Sequence, residues 1–105
     1  MPSDFLVYGS TGFVGDAVTR LSLQQGLKPI IAGRNAAKVQ AQAAELGLEF
    51  RAIGLDDSGA IDAVLKQVRV VLHCAGPYLH TYKPIADACL RTGTHYLDLT
   101  GEMLV

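Results

Sequence analysis

The sequence predicts an α/β fold: a doubly wound parallel sheet of about five strands, in the order 3-2-1-4-5, with helices on both faces. Short apolar segments alternate along the chain with longer segments whose apolar residues recur at helical spacing. Each longer segment is placed to connect two parallel strands, and such crossovers are right-handed. A chain of 105 residues is one domain of modest size.

The predicted elements follow one another without a linker or a repeat. The strands are expected at 4–8, 29–32, 49–53, 68–74 and 95–99. The helices are expected at 12–25, 35–46 and 57–67, with a fourth from Pro84 to about Gly93. The apolar face of the first helix would consist of Phe13, Val14, Ala17, Val18 and Leu21.

Residues at the boundaries support the first half of this assignment. Gly26 is placed to end the first helix, and Gly47 to end the second. Asn35 can cap the second helix, because its side-chain oxygen can accept a hydrogen bond from a free backbone N–H.

The second half has boundary signals of the same kind. Asp57 or Ser58 can cap the third helix. Segment 68–74 is rich in β-branched residues, as expected of a central buried strand. Pro84 suits the first turn of the fourth helix, where its missing N–H leaves no hydrogen bond unmade.

Three glycines stand between the first strand and the first helix. Gly9 lets the chain turn sharply, Gly12 lets the backbone approach a ligand, and Gly15 lets the helix pack closely. Their GxxGxxG spacing differs from the GxGxxG of the best-known dinucleotide fingerprint. A strand, a glycine turn and a helix start together predict a pyrophosphate site, because a helix N-terminus favours an anion. The alternative is a glycine-rich turn that binds no ligand.

Four further residues of this loop are candidates for the same site. Ser10 and Thr11 could donate hydroxyl hydrogen bonds to the pyrophosphate, and Phe13 and Val14 could offer backbone N–H groups. For Phe13 the alternative is packing in the core, and the two roles are compatible.

Arg34 follows the second predicted strand and lies 19 residues beyond Gly15 (34 − 15). NAD-binding domains usually carry a carboxylate about 20 residues past the glycines, which holds the ribose 2′-hydroxyl. No carboxylate stands at the end of this strand, and the arginine fork suits a 2′-phosphate. Asn35 and Lys38 could add donors. The sequence therefore predicts NADP(H) in preference to NAD(H); the alternative is an exposed arginine that only flanks a helix.

Four segments together resemble the saccharopine dehydrogenase-like oxidoreductases, including the related trans-acting enoyl reductases. They are 8–15, 32–35, 74–78 and 93–102. The resemblance covers nearly the whole chain and implies an N-terminal Rossmann domain that binds NADP. It also implies a longer NADP-dependent oxidoreductase that acts on a small molecule. We therefore expect residues 1–105 to be one cofactor domain, a fragment that lacks the substrate domain and is not catalytically complete.

Residues after the third and fourth strands would complete the cofactor site. Asp56 could accept a hydrogen bond from the adenine amino group, with helix capping as the alternative. Ligands of open parallel sheets bind outside the carboxyl ends of the strands, so the turn after the fourth strand should border the ribose and nicotinamide. That turn consists of Ala75, Gly76, Pro77 and Tyr78. Tyr78 could equally pack beneath the turn.

The cysteine and histidine side chains give weaker indications. Cys74 is expected to be buried and without an activating base. His73, His80 and His95 match no metal-ligand spacing, so no metal site is predicted. His80, expected in the loop beside the nicotinamide, is the one histidine that stays a candidate.

No catalytic residue is identified. Asp98 or Glu102, at the exit of the fifth strand, could orient the substrate or the nicotinamide, or could cap a following segment. No tyrosine is followed four residues later by a lysine, which argues against the short-chain dehydrogenases.

Composition restricts the partners. The net charge of −1 gives no broad basic field for nucleic acid. No apolar stretch approaches the ~20 residues that span a bilayer, and two cysteines fit a reduced, cytoplasmic protein. An exposed sheet edge and the apolar residues Leu104 and Val105 favour self-association.

Three functions are open at this point. The first is an NADP(H)-binding domain that positions the nicotinamide for hydride transfer to a small-molecule substrate. The second is a non-catalytic module that senses NADP(H) and reports it to a protein partner. The third is an interaction module without nucleotide affinity, against which the three glycines and Arg34 argue.

Overall fold

The computed structural model describes residues 5–74 and 78–98, in which strands and helices alternate strictly. The strands are β1 (Phe5–Tyr8), β2 (Ile30–Gly33), β3 (Phe50–Ala52), β4 (Val70–His73) and β5 (His95–Asp98). The helices are α1 (Phe13–Gln24), α2 (Ala36–Leu46), α3 (Ser58–Leu65) and α4 (Tyr78–Thr92). Apart from the start of α4, the observed bounds lie within two residues of the predicted ones, which is the usual variation at element ends.

The five strands form one parallel sheet in the order β3-β2-β1-β4-β5. Strand β1 lies at its centre, where Leu6 is paired with Ile30 of β2 and with Val71 of β4. Each connection contains one helix, as a crossover between parallel strands requires. The predicted fold class and strand order are confirmed.

Both faces of the sheet are covered by helices. Because side chains alternate along a strand, Leu6 and Tyr8 enter a core cluster with residues of α3 and α4, whereas Val7 enters a second cluster with Val39 of α2. Because the strands are parallel, the carboxyl ends of β1, β2 and β4 lie at the same edge of the sheet. Helices packed on both faces support this edge.

Helix α1 packs through small residues and not through the predicted apolar face. Gly15 and Thr19 are buried, and the Thr19 hydroxyl donates to the Gly15 carbonyl oxygen at 2.7 Å. Phe13, in contrast, is 93% exposed and Leu21 is 55% exposed. The predicted face is therefore wrong, as is core packing of Phe13; Val18 alone of that set is partly buried against the core. Small side chains let the helix backbone approach the sheet closely, which large apolar ones would prevent.

Helix α4 begins at Tyr78, six residues (84 − 78) before the predicted first turn at Pro84. Pro84 therefore lies inside the helix, where it removes one backbone hydrogen bond. Ile85, Ala88 and Cys89, which follow the proline in the helix, are buried in the core. The predicted end of the helix is confirmed, since Gly93 follows with a φ of 72°.

Side chains cap α2 and α3 as predicted. Asn35 Oδ1 accepts from the backbone N–H of Lys38 at 3.1 Å, and Asp57 Oδ1 accepts from that of Ala60 at 3.1 Å. The cap of α3 is therefore Asp57, and not Ser58. Within the two described ranges, no helix has the length and apolar character needed to cross a membrane.

Candidate functional site

The glycine loop joins β1 to α1 at the carboxyl edge of the sheet. Gly9 adopts a φ of 84°, a left-handed conformation that favours glycine. Its N–H donates to the Ala32 carbonyl oxygen of β2 at 2.8 Å, and the Gly12 N–H donates to the Gly9 carbonyl oxygen at 3.2 Å. The loop is thus folded back on itself and fastened to β2.

The N-terminus of α1 is open to a ligand. Gly12 is its N-cap residue and has no side chain to cap the first turn. The N–H groups at the first helical positions, those of Phe13 and Val14, have no acceptor inside the helix. Residues 11–14 are exposed. This end of α1 therefore presents free donors and the positive end of the helix dipole to an incoming anion.

The other two glycines differ in the space around them. A Cβ built on Gly15 would lie 2.0 Å from the Gly9 carbonyl oxygen, which is far too close. A Cβ built on Gly12 would lie 3.5 Å from the same oxygen, an ordinary contact. Gly15 is therefore required by packing, whereas Gly12 leaves open space where the loop faces solvent.

A cleft of about 260 Å³ runs from this loop to the end of β2. Its walls come from the ends of β1, β2 and β4, the glycine loop and the start of α2. They consist of Tyr8, Gly9, Thr11, Gly12, Gly33, Arg34, Asn35, Lys38 and Cys74. The structure thus brings the glycine loop and the residues after β2 to one cavity.

Three predicted residues do not offer all of their expected groups to the cleft. Ser10 is fully buried, and its hydroxyl makes no hydrogen bond with any described residue. Asn35 lines the cleft, but its side-chain oxygen is engaged as the α2 cap. Asp56 is exposed outside the cleft walls and does not cap α3.

The charges of Arg34 and Asp56 both act on the buried hydroxyl of Tyr8. Burial raises the pKa of Tyr8 to about 12, while Arg34 lowers it and Asp56 raises it further. The Tyr8 hydroxyl donates to the Ile53 carbonyl oxygen at 2.8 Å. Tyr8 is therefore a neutral hydrogen-bond donor that ties β1 to the segment after β3.

The carboxyl end of β4 contributes Cys74 to the cleft. As predicted, Cys74 is buried, and burial raises the pKa of its thiol to about 11, which leaves it a poor nucleophile. His73 is fully buried between two aromatic rings, with centroids 5.7 Å from Tyr8 and 6.1 Å from Tyr96. The described ranges contain no group of three side chains that could hold a metal ion.

The turn predicted to border the nicotinamide lies largely outside the described residues. This holds for Ala75, Gly76 and Pro77. Tyr78 is the first residue of α4, and position 80 also lies in α4, so the expectation that His80 stands in a loop is wrong. Of the two acidic candidates beyond, Asp98 ends β5 and Glu102 lies outside the described residues.

One residue at the site was not predicted. Gln42 of α2 is buried, and its Nε2 donates to the Ser10 carbonyl oxygen at 2.8 Å and to Asp16 Oδ1 at 2.9 Å. The sequence signal is weak: Gln42 lies beside Ala43 on the buried side of α2, and three residues beyond the buried Val39.

These features define a dinucleotide-binding domain of the Rossmann class, and comparison with known proteins gives its family. Residues 5–103 match the family described as the saccharopine dehydrogenase NADP binding domain. The chain therefore belongs to this family, and the resemblance inferred from the sequence is confirmed.

Three similar proteins illustrate the relationship. A trans-acting enoyl reductase of Mycobacterium leprae is 36% identical over 96% of this chain and 26% of its own length. A saccharopine dehydrogenase-like oxidoreductase of Mus musculus is 33% identical over 96% of this chain and 28% of its own. The apo saccharopine dehydrogenase (L-Glu forming) of Saccharomyces cerevisiae superposes with a TM-score of 0.76 at 27% identity, over 91% of this chain and 21% of that one. The chain thus spans about a quarter of the length of the curated relatives it matches.

Proposed function

We propose that this domain binds NADP(H), in preference to NAD(H), and presents the nicotinamide for hydride transfer to a small-molecule substrate. The observation that carries the proposal is the lining of the cleft. It joins the open N-terminus of α1 to Arg34 and Lys38, and the described residues that line it include no carboxylate. Two separated anionic groups, a pyrophosphate and a 2′-phosphate, match that distribution of charge.

The pyrophosphate is assigned to the glycine loop. Thr11 and Gly12 face the cleft, and the first N–H groups of α1 lie directly beyond them. Gly12, which has no Cβ, allows the phosphate oxygens to come close to the backbone. Ser10 supports this loop from beneath, since its side chain is fully buried.

The 2′-phosphate is assigned to the end of β2. Arg34 supplies a planar guanidinium that can pair with two phosphate oxygens, and Lys38 supplies a second positive charge. An NAD-specific domain would carry a carboxylate at this position to hold a ribose hydroxyl, and a carboxylate would repel the 2′-phosphate. Asp56 stays a candidate for the adenine amino group.

The nicotinamide is assigned to the region beyond β4, where Cys74 closes the cleft and residues 75–78 follow. When bound, the cofactor supplies the hydride chemistry itself, and the protein supplies binding and orientation. Cys74 with its raised pKa offers an uncharged wall at this end. We propose that the domain works as the cofactor-binding part of a longer oxidoreductase.

A second candidate is a non-catalytic NADP(H) sensor. The observation that favours it concerns Cys74, whose thiol lines the described cleft. Burial keeps this thiol protonated, so it is a poor nucleophile. NADPH oxidation by the longer protein with any substrate would exclude the sensor.

Two further properties belong to the proposal. Cys74 and Cys89 are buried and form no disulfide. Free thiols support the proposal that the protein is in the cytoplasm, which is a reducing compartment. Exposed apolar side chains, Leu90 at 85% and Leu97 at 57%, support self-association of the isolated chain.

The direct test is a calorimetric titration of NADPH into the chain. We expect saturable one-to-one binding that adenosine 2′,5′-bisphosphate, the adenine half of the cofactor, displaces. Because the 2′-phosphate is assigned to Arg34 and Lys38, ADP-ribose, which has no 2′-phosphate, should displace NADPH much less well. Absence of NADPH binding at millimolar concentration would contradict the proposal.

A further inference from the structure

Gln42 of α2 contacts the glycine loop and the first turn of α1, at residues that lie 32 and 26 positions before it in the sequence. It lies on α2, is 7% exposed, and reaches the Ser10 carbonyl oxygen of the glycine loop, 32 residues away. The same Nε2 reaches the Asp16 carboxylate in the first turn of α1. The side-chain amide of Gln42 therefore donates one hydrogen bond to the glycine loop and one to α1, the helix that follows the loop.

The orientation of this amide is fixed by its partners. A carbonyl oxygen and a carboxylate oxygen can only accept hydrogen bonds, so the Nε2 group must face them and Oε1 must face away. Arg20 donates to Asp16 Oδ2 at 2.9 Å and holds the pKa of Asp16 below its usual range, so Asp16 stays an ionised acceptor. Arg20 also bridges to Glu45 at 3.0 Å, so α1 and α2 are clamped twice.

We propose that Gln42 is a positioning residue for cofactor binding, which holds the Ser10 peptide so that the glycine loop is already in its ligand-binding shape. The C=O and N–H of a trans peptide point in opposite directions. Holding the Ser10 carbonyl against α2 therefore also fixes the N–H of Thr11, a residue that lines the cleft. A loop fixed in advance loses less conformational freedom when it binds a pyrophosphate. This role rests on the proposed binding of NADP(H).

The test compares two ligands and three variants. Gln42→Leu keeps the side-chain volume but donates no hydrogen bond, and Gln42→Glu keeps the shape but has no N–H at neutral pH. Glu45→Ala is the matched control, because it removes a contact between α1 and α2 and leaves both bonds of Gln42 in place. The ligands are NADPH, which carries both the pyrophosphate and the 2′-phosphate, and adenosine 2′-monophosphate, whose one anionic group is the 2′-phosphate assigned to Arg34.

We expect each Gln42 variant to bind NADPH roughly tenfold more weakly and to bind adenosine 2′-monophosphate as the wild-type chain does. The Glu45 variant should bind both ligands normally. Equal weakening of both ligands would show a general structural role and would overturn the proposal, as would unchanged NADPH affinity in both Gln42 variants. If one of the two fails to fold, the other carries the test. A wild-type chain that binds no NADPH would instead overturn the proposed function.

Discussion

Gly15 of α1 stands so close to Gly9 that a Cβ on Gly15 would lie 2.0 Å from the Gly9 carbonyl oxygen. The helix that presents its N-terminus to the cleft is therefore seated directly on the turn that precedes it. This contact explains why α1 packs through glycine and threonine, and why Phe13 and Leu21 face outward.

Substitution by alanine should have different effects at Gly12 and at Gly15, the two glycines at the start of α1. Gly15→Ala should lower the free energy of unfolding by about 1–3 kcal/mol, because the added Cβ overpacks the contact with Gly9. Gly12→Ala has room in the fold, so its melting temperature should stay the same while its NADPH affinity falls about tenfold or more. Thermal unfolding and calorimetry measure the two effects. A Gly12→Ala chain with normal affinity would show that no phosphate approaches this backbone.

Asn35 should separate helix capping from ligand binding. Asn35→Ala should destabilise the fold by about 1 kcal/mol, since the N–H of Lys38 loses its acceptor. Asn35→Asp keeps the cap but places a negative charge beside Arg34 and Lys38. It should therefore lower the affinity for NADPH more than the affinity for NADH. Urea unfolding and calorimetry with both nucleotides check these results.

The control for Asn35 is Asp57→Ala, which removes the corresponding cap of α3 outside the described cleft walls. Asp57→Ala should lower the free energy of unfolding by a similar amount and leave the affinity for both nucleotides unchanged. Equal loss of NADPH and NADH affinity in Asn35→Asp would place the 2′-phosphate elsewhere.

Stability should fall in alkaline solution because of the buried thiols. Burial raises the pKa of Cys74 and of Cys89 to about 11, whereas an unfolded cysteine titrates near about 8.5. The folded state therefore keeps protons that the unfolded state releases. The stabilisation is complete below the unfolded pKa and is lost as the pH rises through the folded pKa.

Urea unfolding at about pH 8 and about pH 10.5 measures this loss. A variant with both cysteines changed to alanine should lose less stability between the two values than the wild-type chain does. An identical loss in both chains would assign the pH dependence to other groups, such as Tyr8 with its pKa of about 12.

Self-association should depend on the edge strand β5. Leu97 of β5 is 57% exposed and lies beside Leu72 of β4 on the same face. Leu97→Lys puts a charge on that edge, which disfavours pairing with another chain. Sedimentation velocity should show association that rises with concentration in the wild-type chain and is reduced in the variant. A wild-type chain that stays monomeric across the range would contradict this prediction.

The features that the sequence predicted best are those that local chemistry determines. Glycine at positive φ and side-chain caps each act over a few residues, so the glycine loop and the Asn35 cap followed from them. The sheet order followed from the alternation of strands and helices and from the right-handed crossovers. Arg34 could be placed at the cleft because parallel strands end at the same edge.

The features that were wrong or missed depend on tertiary contacts. Hydrophobic periodicity identified α1 as a helix but chose the wrong face, because contact with the glycine loop selects the side that carries Gly15 and Thr19. Pro84 suggested a helix start, yet α4 begins at Tyr78 and contains the proline in its interior. Gln42 could not be foreseen, since its partner Ser10 lies 32 residues away.

We propose that Arg34 makes this domain prefer NADP(H), and parallel calorimetric titrations with NADPH and NADH are the sharpest test. Arg69→Ala is the matched control, because Arg69 precedes β4 at the opposite end of the sheet. We expect the wild-type chain and the control to bind NADPH at least about tenfold more tightly than NADH, and Arg34→Ala to bind both nucleotides alike. An Arg34→Ala chain that keeps the full preference for NADPH would show that Arg34 does not bind the 2′-phosphate.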